Sequence, residues 1–473
     1  MRSLLLIFAS LLLLVGIQGC ISDDFNESPS VRLRFSTDTV SFDTVFTDLG
    51  TPTARLKVYN PDKKSVNISS IRLSNPESPF SINVDGVSGT DFHDVEIRGG
   101  DSIFVFIECF LPEDKQKKPF LREDKIVFVT NGTEQNVTVE AWGQNVTRLR
   151  NFTVDKDMTF TADQPYVIFD SLTIRKGAIL RVRPGTQLLF HDKAKLVVEG
   201  RLEAVGAPGK MIDMRGDRLD NVLPDVGYDI LAGQWEGIRI AAGSFSNRLE
   251  YVDMRSTVSG IRCDSTANLQ YTKLNLINSW LHNSQSTVLE AKYAKINAYG
   301  CVFSEASEAV VRLTGGLHDF SQCTFSNYYL FTVISEPILT LTHLLPKEVV
   351  TGTNNQPLMK AEFGNCIIYG LASDINVGDL TDSNVYLRYC LLKSEGKNDD
   401  HFLECIWGED PLFYTVREDY YFNYRLKPDS PAIGAGDPAL INPLTAKDMD
   451  GLNRMAGVER PALGAYVYSP PKE

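Results

Sequence analysis

The sequence has few of the residues on which metal sites most often depend. Six histidines and eight cysteines are spread over 473 residues. After residue 20 it contains no Cys-x-x-Cys pair and no His/Cys cluster with the spacing of a zinc site, which excludes a structural zinc module. We therefore look for function in carboxylates, arginines and aromatic side chains.

The sequence also lacks an excess of basic residues. It contains 47 Lys and Arg against 60 Asp and Glu, a formal charge of −13, and no basic stripe is visible. A duplex-binding surface requires such a stripe, so we predict no nucleic-acid partner. An acidic surface that bears aromatic residues suits neutral sugars better than polyanions. An apolar content of 43% predicts a folded protein, and the length predicts two or three folded units.

Long apolar runs are missing except at the start of the chain. Arg2 precedes an apolar run over residues 4–17, which ends just before Cys20. A basic residue followed by a short apolar run is typical of an export signal, and it is too short for a comfortable membrane span. The sequence therefore predicts a signal peptide over residues 1–20 and a linker over residues 21–34.

The junction Gly19-Cys20 resembles the lipobox of bacterial lipoproteins. The resemblance implies that Cys20 is the lipid attachment site, acylated with chains such as palmitate, and becomes the new N-terminus. The acidic pair Asp23-Asp24 resembles a surface-export signal of one Gram-negative phylum. Together they imply a lipid-anchored protein of the outer membrane, exposed at the cell surface. Attachment facing the periplasm and an ordinary cleavage site are the alternatives.

Residues 35–147 alternate apolar and polar side chains with a period of two. Turn residues such as Asn60-Pro61 and Asn131-Gly132 separate about seven such runs. This pattern predicts an antiparallel β-sandwich. Phrases such as residues 101–106 and 141–145 resemble the immunoglobulin-like module that precedes β-helices in bacterial lipoproteins. The resemblance implies a spacer that holds the rest of the protein off the membrane.

An internal repeat organises the next part of the chain. Cys301 and Cys323 lie in similar phrases 22 residues apart, Cys366 follows 43 residues later, close to two periods, and Cys390 another 24 residues later. A period near 22 built from short alternating segments is typical of stacked strands. The sequence therefore predicts an all-β protein in which residues 148–427 form a right-handed parallel β-helix of about 12 turns.

The repeated cysteines are expected to point inward at matching positions of successive turns. Free cysteine packs as a small apolar residue, so we expect a column of thiols. Adjacent turns also bring Cα atoms within disulfide range, and a Cys301–Cys323 bond is the alternative.

Three alternating runs at residues 172–177, 180–190 and 196–206, each closed by glycine or an aromatic residue, precede the repeat. They resemble a family of uncharacterised β-helix lipoproteins. The tail at residues 428–473 resembles the closing segment of many bacterial β-helices. It is expected to lie along the last turn and cover its edge, with Asp448, Asp450, Gly451 and Arg454 as a structural motif that contains an ion pair.

Two sets of residues are candidates for chemistry. An acidic loop offers carboxylates for a calcium ion or a sugar, and a solvated loop is the alternative; its members are Asp213, Asp217, Asp220, Asp225 and Asp229. The second set is an aromatic platform of Trp235, Trp280 and His282, for which burial of Trp280 in the core is the alternative.

The sequence does not fix an activity. Gly-His-Gly and Asn-Thr-Asp runs, which mark families of enzymes on this fold, do not occur. We therefore expect a non-catalytic module that binds a polysaccharide or a surface protein. The alternative is a polysaccharide lyase or glycoside hydrolase on the β-helix flank. An enzyme should show carboxylates, or a carboxylate and a Lys or Arg, converging in a cleft, whereas a binding module should show an open face with scattered charges.

Overall fold

The computed structural model describes residues 24–114, 118–223, 226–334, 336–344 and 356–470. Cys20, and with it the predicted signal peptide and lipid site, lies outside these residues. The chain divides into two compact units, residues 1–145 and 146–473. Within the described residues the helical elements are three single 3₁₀ turns, at Tyr228–Ile230, Glu418–Tyr420 and Pro438–Leu440. None of these is long or apolar enough to cross a membrane.

The first unit contains eleven strands in its described part. They are β1 Arg34–Phe35, β2 Thr39–Phe46, β3 Ala54–Tyr59, β4 Val66–Leu73, β5 Phe80–Val84, β6 Val87–Gly89, β7 Asp91–Phe92, β8 Val95–Ile97, β9 Ser102–Cys109, β10 Phe120–Thr130 and β11 Thr133–Gln144.

These strands form two sheets, ordered β1-β3-β9-β5-β6 and β2-β11-β10-β4-β7, with β8 also pairing with β4. Every second residue of the long strands is buried, as in β9 and β11, and the inward residues of both sheets form one apolar cluster. Part of the predicted linker 21–34 belongs to this unit, because Phe25 bridges to Ser65 and Leu33 is buried in the cluster.

The second unit contains the remaining strands of the described residues. They are β12 Thr147–Val154, β13 Met158–Phe160, β14 Tyr166–Ile174, β15 Ile179–Val182, β16 Gln187–Phe190, β17 Lys195–Val198, β18 Arg201–Val205, β19 Ile212–Gly216, β20 Asn221–Leu223, β21 Val226–Gly227, β22 Gly237–Ile240, β23 Asn247–Glu250, β24 Val252–Met254, β25 Ile261–Cys263, β26 Leu274–Ile277, β27 Trp280–Ser284, β28 Leu289–Lys292, β29 Lys295–Tyr299, β30 Val302–Ala306, β31 Val311–Thr314, β32 Gly316–Ser321, β33 Thr324–Asn327, β34 Leu339–Thr342, β35 Leu358–Gly364, β36 Ile367–Gly370, β37 Ile375–Asn376, β38 Val385–Arg388, β39 Leu391–Leu392, β40 Phe402–Leu403, β41 Ile406–Trp407, β42 Phe413–Thr415 and β43 Asn423–Leu426.

Two large sheets, one of 18 and one of 10 strands, contain most of these strands, and their pairings are parallel. In the middle of the unit each strand pairs with the strand three places later, as β27 does with β30 and β28 with β31. Leu274 pairs with Ile296 and Trp280 with Val302, each 22 residues apart. The predicted period is therefore the length of one coil, by which we mean one pass through three strands. The protein is all-β, and its long parallel sheets are compatible with a β-helix-like solenoid.

The cysteines lie in one column, as the repeat predicts. The backbone N–H groups that follow Cys323 and Cys366 donate to the carbonyls of Cys301 and Cys323 at 2.9 and 3.0 Å. All of these thiols are free and buried, and Cys390 and Cys405 continue the column. Each sulfur lies 3.3–3.7 Å from the carbonyl oxygen two residues earlier. A small side chain with a weak hydrogen-bond donor therefore fits the position that the cysteine occupies in each coil.

The step of 43 residues from Cys323 to Cys366 is one enlarged coil and not two coils. Thr324 pairs directly with Ile367, so β33 and β36 are neighbours. The additional residues lie in the chain between Asn327, the last residue of β33, and Leu339, the first of β34, and between Thr342 and Leu358, which end β34 and begin β35. The described part of the second unit therefore contains fewer coils than the roughly 12 that its length and the period predict, because insertions lengthen single coils.

The tail does not lie along the last coil, in contrast to the expectation for residues 428–473. It runs lengthwise over the side of the second unit. The hydroxyl of Tyr251 donates to the carbonyl of Asp448 at 3.4 Å, and the N–H of Gly464 donates to the carbonyl of Asn365 at 2.9 Å. Tyr251 and Asn365 belong to distant coils, so the tail forms a second layer over several coils, joined to them by an apolar cluster.

Candidate functional site

A cleft of about 370 Å³ opens on the outer side of β24, β27 and β30. Side chains alternate along these strands, so Trp280 and His282 face outward while Leu281 is buried between them. Three further segments complete the walls. They are the insertion around Asp229, residues 329–331 of the enlarged coil, and residues 419–422, which connect the antiparallel strands β42 and β43.

Glu305 lies at the floor of this cleft. Its backbone is in the left-handed region, with φ of 49°, and its side chain is only 3% exposed. The hydroxyl of Tyr424 on β43 donates to Oε1 of Glu305, while Oε2 is buried and has no hydrogen-bond partner among the described residues. Burial raises the pKa of Glu305 to about 7, although the charge of His282 opposes this shift. A carboxyl group with this pKa can donate or accept a proton near neutral pH.

Asp253 supplies a second carboxylate in the wall of the cleft. Its Oδ1 lies 3.0 Å from Nε2 of His282, and the imidazole stacks on Trp280 with ring centres 4.2 Å apart. The indole of Trp280 donates to Ser304 at 2.9 Å, which fixes its orientation. Asp253 pairs in register with Trp280, so neighbouring strands bring these groups together.

Arg255 joins three carboxylates beside the cleft. Its guanidinium lies 2.7 Å from Asp213, 2.8 Å from Asp229 and 3.0 Å from Asp253, and Arg215 lies 3.1 Å from Asp229. Asp213 and Asp253 are register partners on β19 and β24, which places the two carboxylates side by side. A shared cation is needed to hold such a pair ionised.

The pKa values in this cluster follow from burial and charge. Burial alone would raise the pKa of Asp253, but Arg255 and His282 outweigh it and hold the pKa below its ordinary range. Asp229 behaves in the same way, its pKa being lowered by the two arginines against the effect of burial. For Asp213 burial prevails and its pKa is raised. The cleft thus combines an ionised carboxylate, Asp253, with a carboxyl group that is easily protonated, Glu305.

The insertion around Asp229 is tied to two coils. The amide of Asn283 donates to the carbonyls of Asp229 and Ile230 at 2.7 and 2.9 Å, and the hydroxyl of Ser256 donates to the carbonyl of Asp229 at 2.8 Å. The backbone is in the left-handed region at one residue on or next to each of the paired strands β24, β27 and β30, namely Ser256, Asn283 and Glu305. These bonds hold the insertion against the strands as one wall of the cleft.

The acidic loop predicted from the sequence does not form one cluster in the described residues. Asp213 and Asp229 join the arginine cluster, whereas Asp217 pairs with His191 at 2.7 Å and Asp220 with Arg218. Asp225 lies outside the described residues. Each described carboxylate of the loop is paired with a cation, Asp213 and Asp229 sharing Arg255. The described residues contain no group of three or more His, Cys, Asp or Glu arranged to hold a metal ion. The calcium hypothesis therefore gains no support from this loop.

The three residues of the predicted aromatic platform do not share one surface. Trp280 and His282 line the cleft, but Trp235 is fully buried and stacks on Phe190 with ring centres 3.9 Å apart. Its indole donates to the carbonyl of Arg255 at 2.9 Å. Trp235 is therefore a core residue beneath the cleft and not part of an outward surface, which corrects the expectation from the sequence.

The tail motif also differs from its prediction. Asp450 pairs with Arg425 at 2.6 Å, and the buried Arg454 donates to the carbonyls of Gly464 and Ala465 at 3.1 and 2.6 Å. Asp448 accepts backbone N–H groups, among them that of Asp450 at 3.0 Å, and Gly451 has φ of 81° in the same turn. The ion pair joins Asp450 to Arg425, which lies outside the motif, instead of joining members of the motif.

Sequence reasoning missed the residues that contribute most to the cleft, namely Asp253, Arg255, Glu305 and Tyr424. A signal for the first two was present. Residues 212–215 read Ile-Asp-Met-Arg and residues 252–255 read Val-Asp-Met-Arg. On stacked strands this repeat places two Asp and two Arg side chains on the same outer face. The sequence offers no comparable repeat for Glu305 or Tyr424.

We predict that replacing Tyr424 with Phe raises the pKa of Glu305. The tyrosine hydroxyl stabilises the ionised carboxylate, and its loss leaves burial as the dominant effect. The carboxyl titration of Glu305, followed by ¹³C NMR after labelling of glutamate side chains, measures the shift. The control is Tyr466→Phe, at a buried tyrosine of the tail that packs on Arg425. Equal titration of Glu305 in wild type and Tyr424→Phe would show that the hydroxyl has no influence.

Comparison with known proteins does not assign a family. No family model matches the chain. No curated protein matches it either. Among solved structures, a protein of unknown function from Porphyromonas gingivalis W83 shows 12% identity and a TM-score of 0.19, over 26% of this chain and 59% of that one. A family 123 glycoside hydrolase from Clostridium perfringens shows 10% identity and a TM-score of 0.18, over 24% of this chain and 26% of that one. The chain thus spans less than two thirds of either protein, and similarity at this level assigns neither fold nor activity.

Proposed function

We propose that the protein hydrolyses a glycosidic bond in the cleft formed by Trp280, Asp253 and Glu305. The observation that carries the proposal is the state of Glu305, a residue that lines the cleft together with the ionised Asp253 and whose Oε2 is buried with no hydrogen-bond partner among the described residues. An open face with scattered charges would favour a non-catalytic binding module. Convergence of two carboxylates with an arginine favours the enzymatic alternative.

The two carboxyl groups have the properties that glycoside hydrolysis requires. Glu305 is the proton donor to the leaving oxygen, because its pKa is raised to about 7 by burial. Asp253 is the second carboxylate, which activates water or attacks the sugar, since Arg255 and His282 keep it ionised. Trp280 offers an aromatic face against which a sugar ring can pack.

The rest of the chain suits a surface enzyme. We propose that the parallel sheets of residues 146–473 are a right-handed parallel β-helix, and that the two sheets of residues 24–145 are an immunoglobulin-like spacer. A lipid on Cys20 would hold the protein at the outer membrane, exposed at the cell surface. The short alternating strands and the Gly19-Cys20 junction support these assignments.

Incubation with a panel of polysaccharides tests the activity. We expect the wild-type protein to release new reducing ends from at least one glycan, and Asp253→Asn to release fewer by a factor of at least about 100. Lys393→Met, at a lysine that binds loop carbonyls away from the cleft, is a control that should retain full activity.

Three other results would count against hydrolysis. Unsaturated ends in place of saturated ones would indicate a polysaccharide lyase. Equal release by Asp253→Asn and wild type would place the chemistry elsewhere. Tight binding without release would favour the non-catalytic binding module.

A further inference from the structure

The charges that line the cleft are mostly negative. Its acidic side chains are Asp229, Asp253, Glu305 and Asp419, and its basic side chains are Arg255 and His282. Asp419 lies in the exposed 3₁₀ turn between β42 and β43, at the rim. A negatively charged substrate would therefore meet carboxylates from the strands, from the insertion and from this turn.

The arginines are already engaged by carboxylates. Nε of Arg255 binds Asp229, and its NH1 group binds both Asp213 and Asp253. Arg215 contributes one more cation, but its side chain is only 12% exposed and it binds Asp229. Three carboxylates thus surround two guanidinium groups, so the cluster has no surplus positive charge to offer a substrate.

His282 is engaged as well. Its Nε2 lies 3.0 Å from Asp253 and its ring face lies against Trp280. A positive charge on this imidazole would be neutralised by the same carboxylate that Arg255 contacts. Among the described residues that line the cleft, no cation therefore remains to receive a carboxylate or sulfate from a substrate.

Aromatic side chains form the remaining surface. Trp280 lies on β27, and Phe331 lies in the enlarged coil and is 46% exposed. Between β42 and β43, Tyr420 is 43% exposed and Tyr421 is 59% exposed. Such rings pack against the C–H faces of sugars and leave the hydroxyl groups to hydrogen-bond with neighbouring carboxylates.

We propose that the substrate is a neutral glycan, whose rings carry hydroxyl groups but no carboxylate, sulfate or phosphate. This inference rests on the proposed function, because it concerns the substrate of the same cleft. Repulsion between a substrate carboxylate and the cleft is strong where the effective dielectric constant is low. We therefore expect a discrimination of at least about tenfold in affinity against the anionic form of a given sugar.

Matched pairs of oligosaccharides test this expectation. The full-length Glu305→Gln variant, which binds without turnover, is titrated calorimetrically with two pairs of oligomers of equal length. One pair is mannose and mannuronate oligomers, and the other is galactose and galacturonate oligomers. Glucose and xylose oligomers are additional neutral ligands. We expect at least one neutral oligomer to bind. Within each pair, a neutral oligomer that binds should do so with an affinity about tenfold or more above that of its uronate partner at low salt.

Two results would overturn the inference. They are equal or tighter binding of the uronate members, and no binding of any neutral oligomer at millimolar concentration. Cleavage of a polyuronate by wild type that is lost in Glu305→Gln would overturn the neutral class while leaving hydrolysis in this cleft intact.

Two rim variants refine the test. Asp419→Asn removes a carboxylate from the rim and should increase uronate affinity severalfold relative to neutral affinity. Asp429→Asn removes another exposed carboxylate, one that does not line the cleft, and should change neither the uronate affinity nor the neutral affinity. A larger gain in uronate affinity for Asp429→Asn than for Asp419→Asn would contradict the charge argument.

Discussion

Replacing Glu305 with Gln is expected to lower kcat by a factor of about 10² to 10⁴ while leaving substrate affinity within severalfold of wild type. The amide keeps the size of the side chain and can still accept the hydrogen bond from Tyr424, but it cannot donate a proton to the leaving group. Steady-state kinetics on the glycan found in the panel measures the effect. A variant with more than a tenth of wild-type kcat would exclude Glu305 as the proton donor.

The same variant should change how stability depends on pH. The folded protein holds a proton on Glu305 up to about pH 7, whereas the ordinary value is 4.5. Between these values the folded state binds more protons than the unfolded state, so wild-type stability falls as pH rises, by about 3 kcal/mol in total. Glu305→Gln lacks this loss and should be the more stable protein at pH 8.

Urea unfolding at pH 4.5 and pH 8 measures that difference. Glu459→Gln, at an exposed position of the tail, is the control and should follow the wild-type curve. A stability difference between wild type and Glu305→Gln that does not grow with pH would contradict the pKa of Glu305.

Replacing Arg255 with Met is expected to destabilise the second unit by about 3–5 kcal/mol at neutral pH. The substitution leaves Asp213, Asp229 and Asp253 close together with Arg215 as their remaining guanidinium partner. The side chain of Arg255 is only 14% exposed, so water compensates little for the missing charge. Chemical denaturation at pH 7 measures the loss.

The pH dependence of this loss has a definite sign. In wild type the pKa of Asp253 is held low, so its stabilising contribution is present above its unfolded pKa and is lost only as the pH falls through the folded value. In Arg255→Met the carboxylates repel one another, and protonation relieves that repulsion. The gap between variant and wild type should therefore narrow as the pH is lowered towards 4.

Arg239→Met is the matched control for this experiment. Arg239 lies 2.8 Å from Asp264, but its side chain is 62% exposed. An exposed pair contributes about 0–1 kcal/mol. If Arg255→Met costs no more than Arg239→Met, the cluster does not hold the wall of the cleft together.

Much of the framework could be predicted because repeated strands give a periodic sequence. Cys301 and Cys323 are separated by the length of one coil, and they occupy equivalent positions in neighbouring coils. Trp280 and His282 could be proposed as outward residues because they alternate with the buried Leu281. Local alternation and a fixed period are properties of neighbouring residues, which sequence reasoning can read directly.

The floor of the cleft could not be predicted in this way. Glu305 lies in a strand where alternation alone would not distinguish a buried acid from a solvated one, and its left-handed backbone changes the direction of its side chain. Its partner Tyr424 lies 119 residues later, on β43, where the sequence predicts a further part of the β-helix. The enlarged coil that brings Phe331 to the rim was hidden because 43 residues resemble two periods.

The carboxyl titration of Glu305 tests the central claim most directly. The wild-type protein is labelled with ¹³C in glutamate side chains, and the Glu305 resonance is assigned by its absence in Glu305→Gln. We predict a midpoint of about 7, caused by burial at the floor of the cleft. A midpoint near 4.5, the ordinary value, would contradict the account, because Glu305 would then be ionised at neutral pH and could not donate the proton.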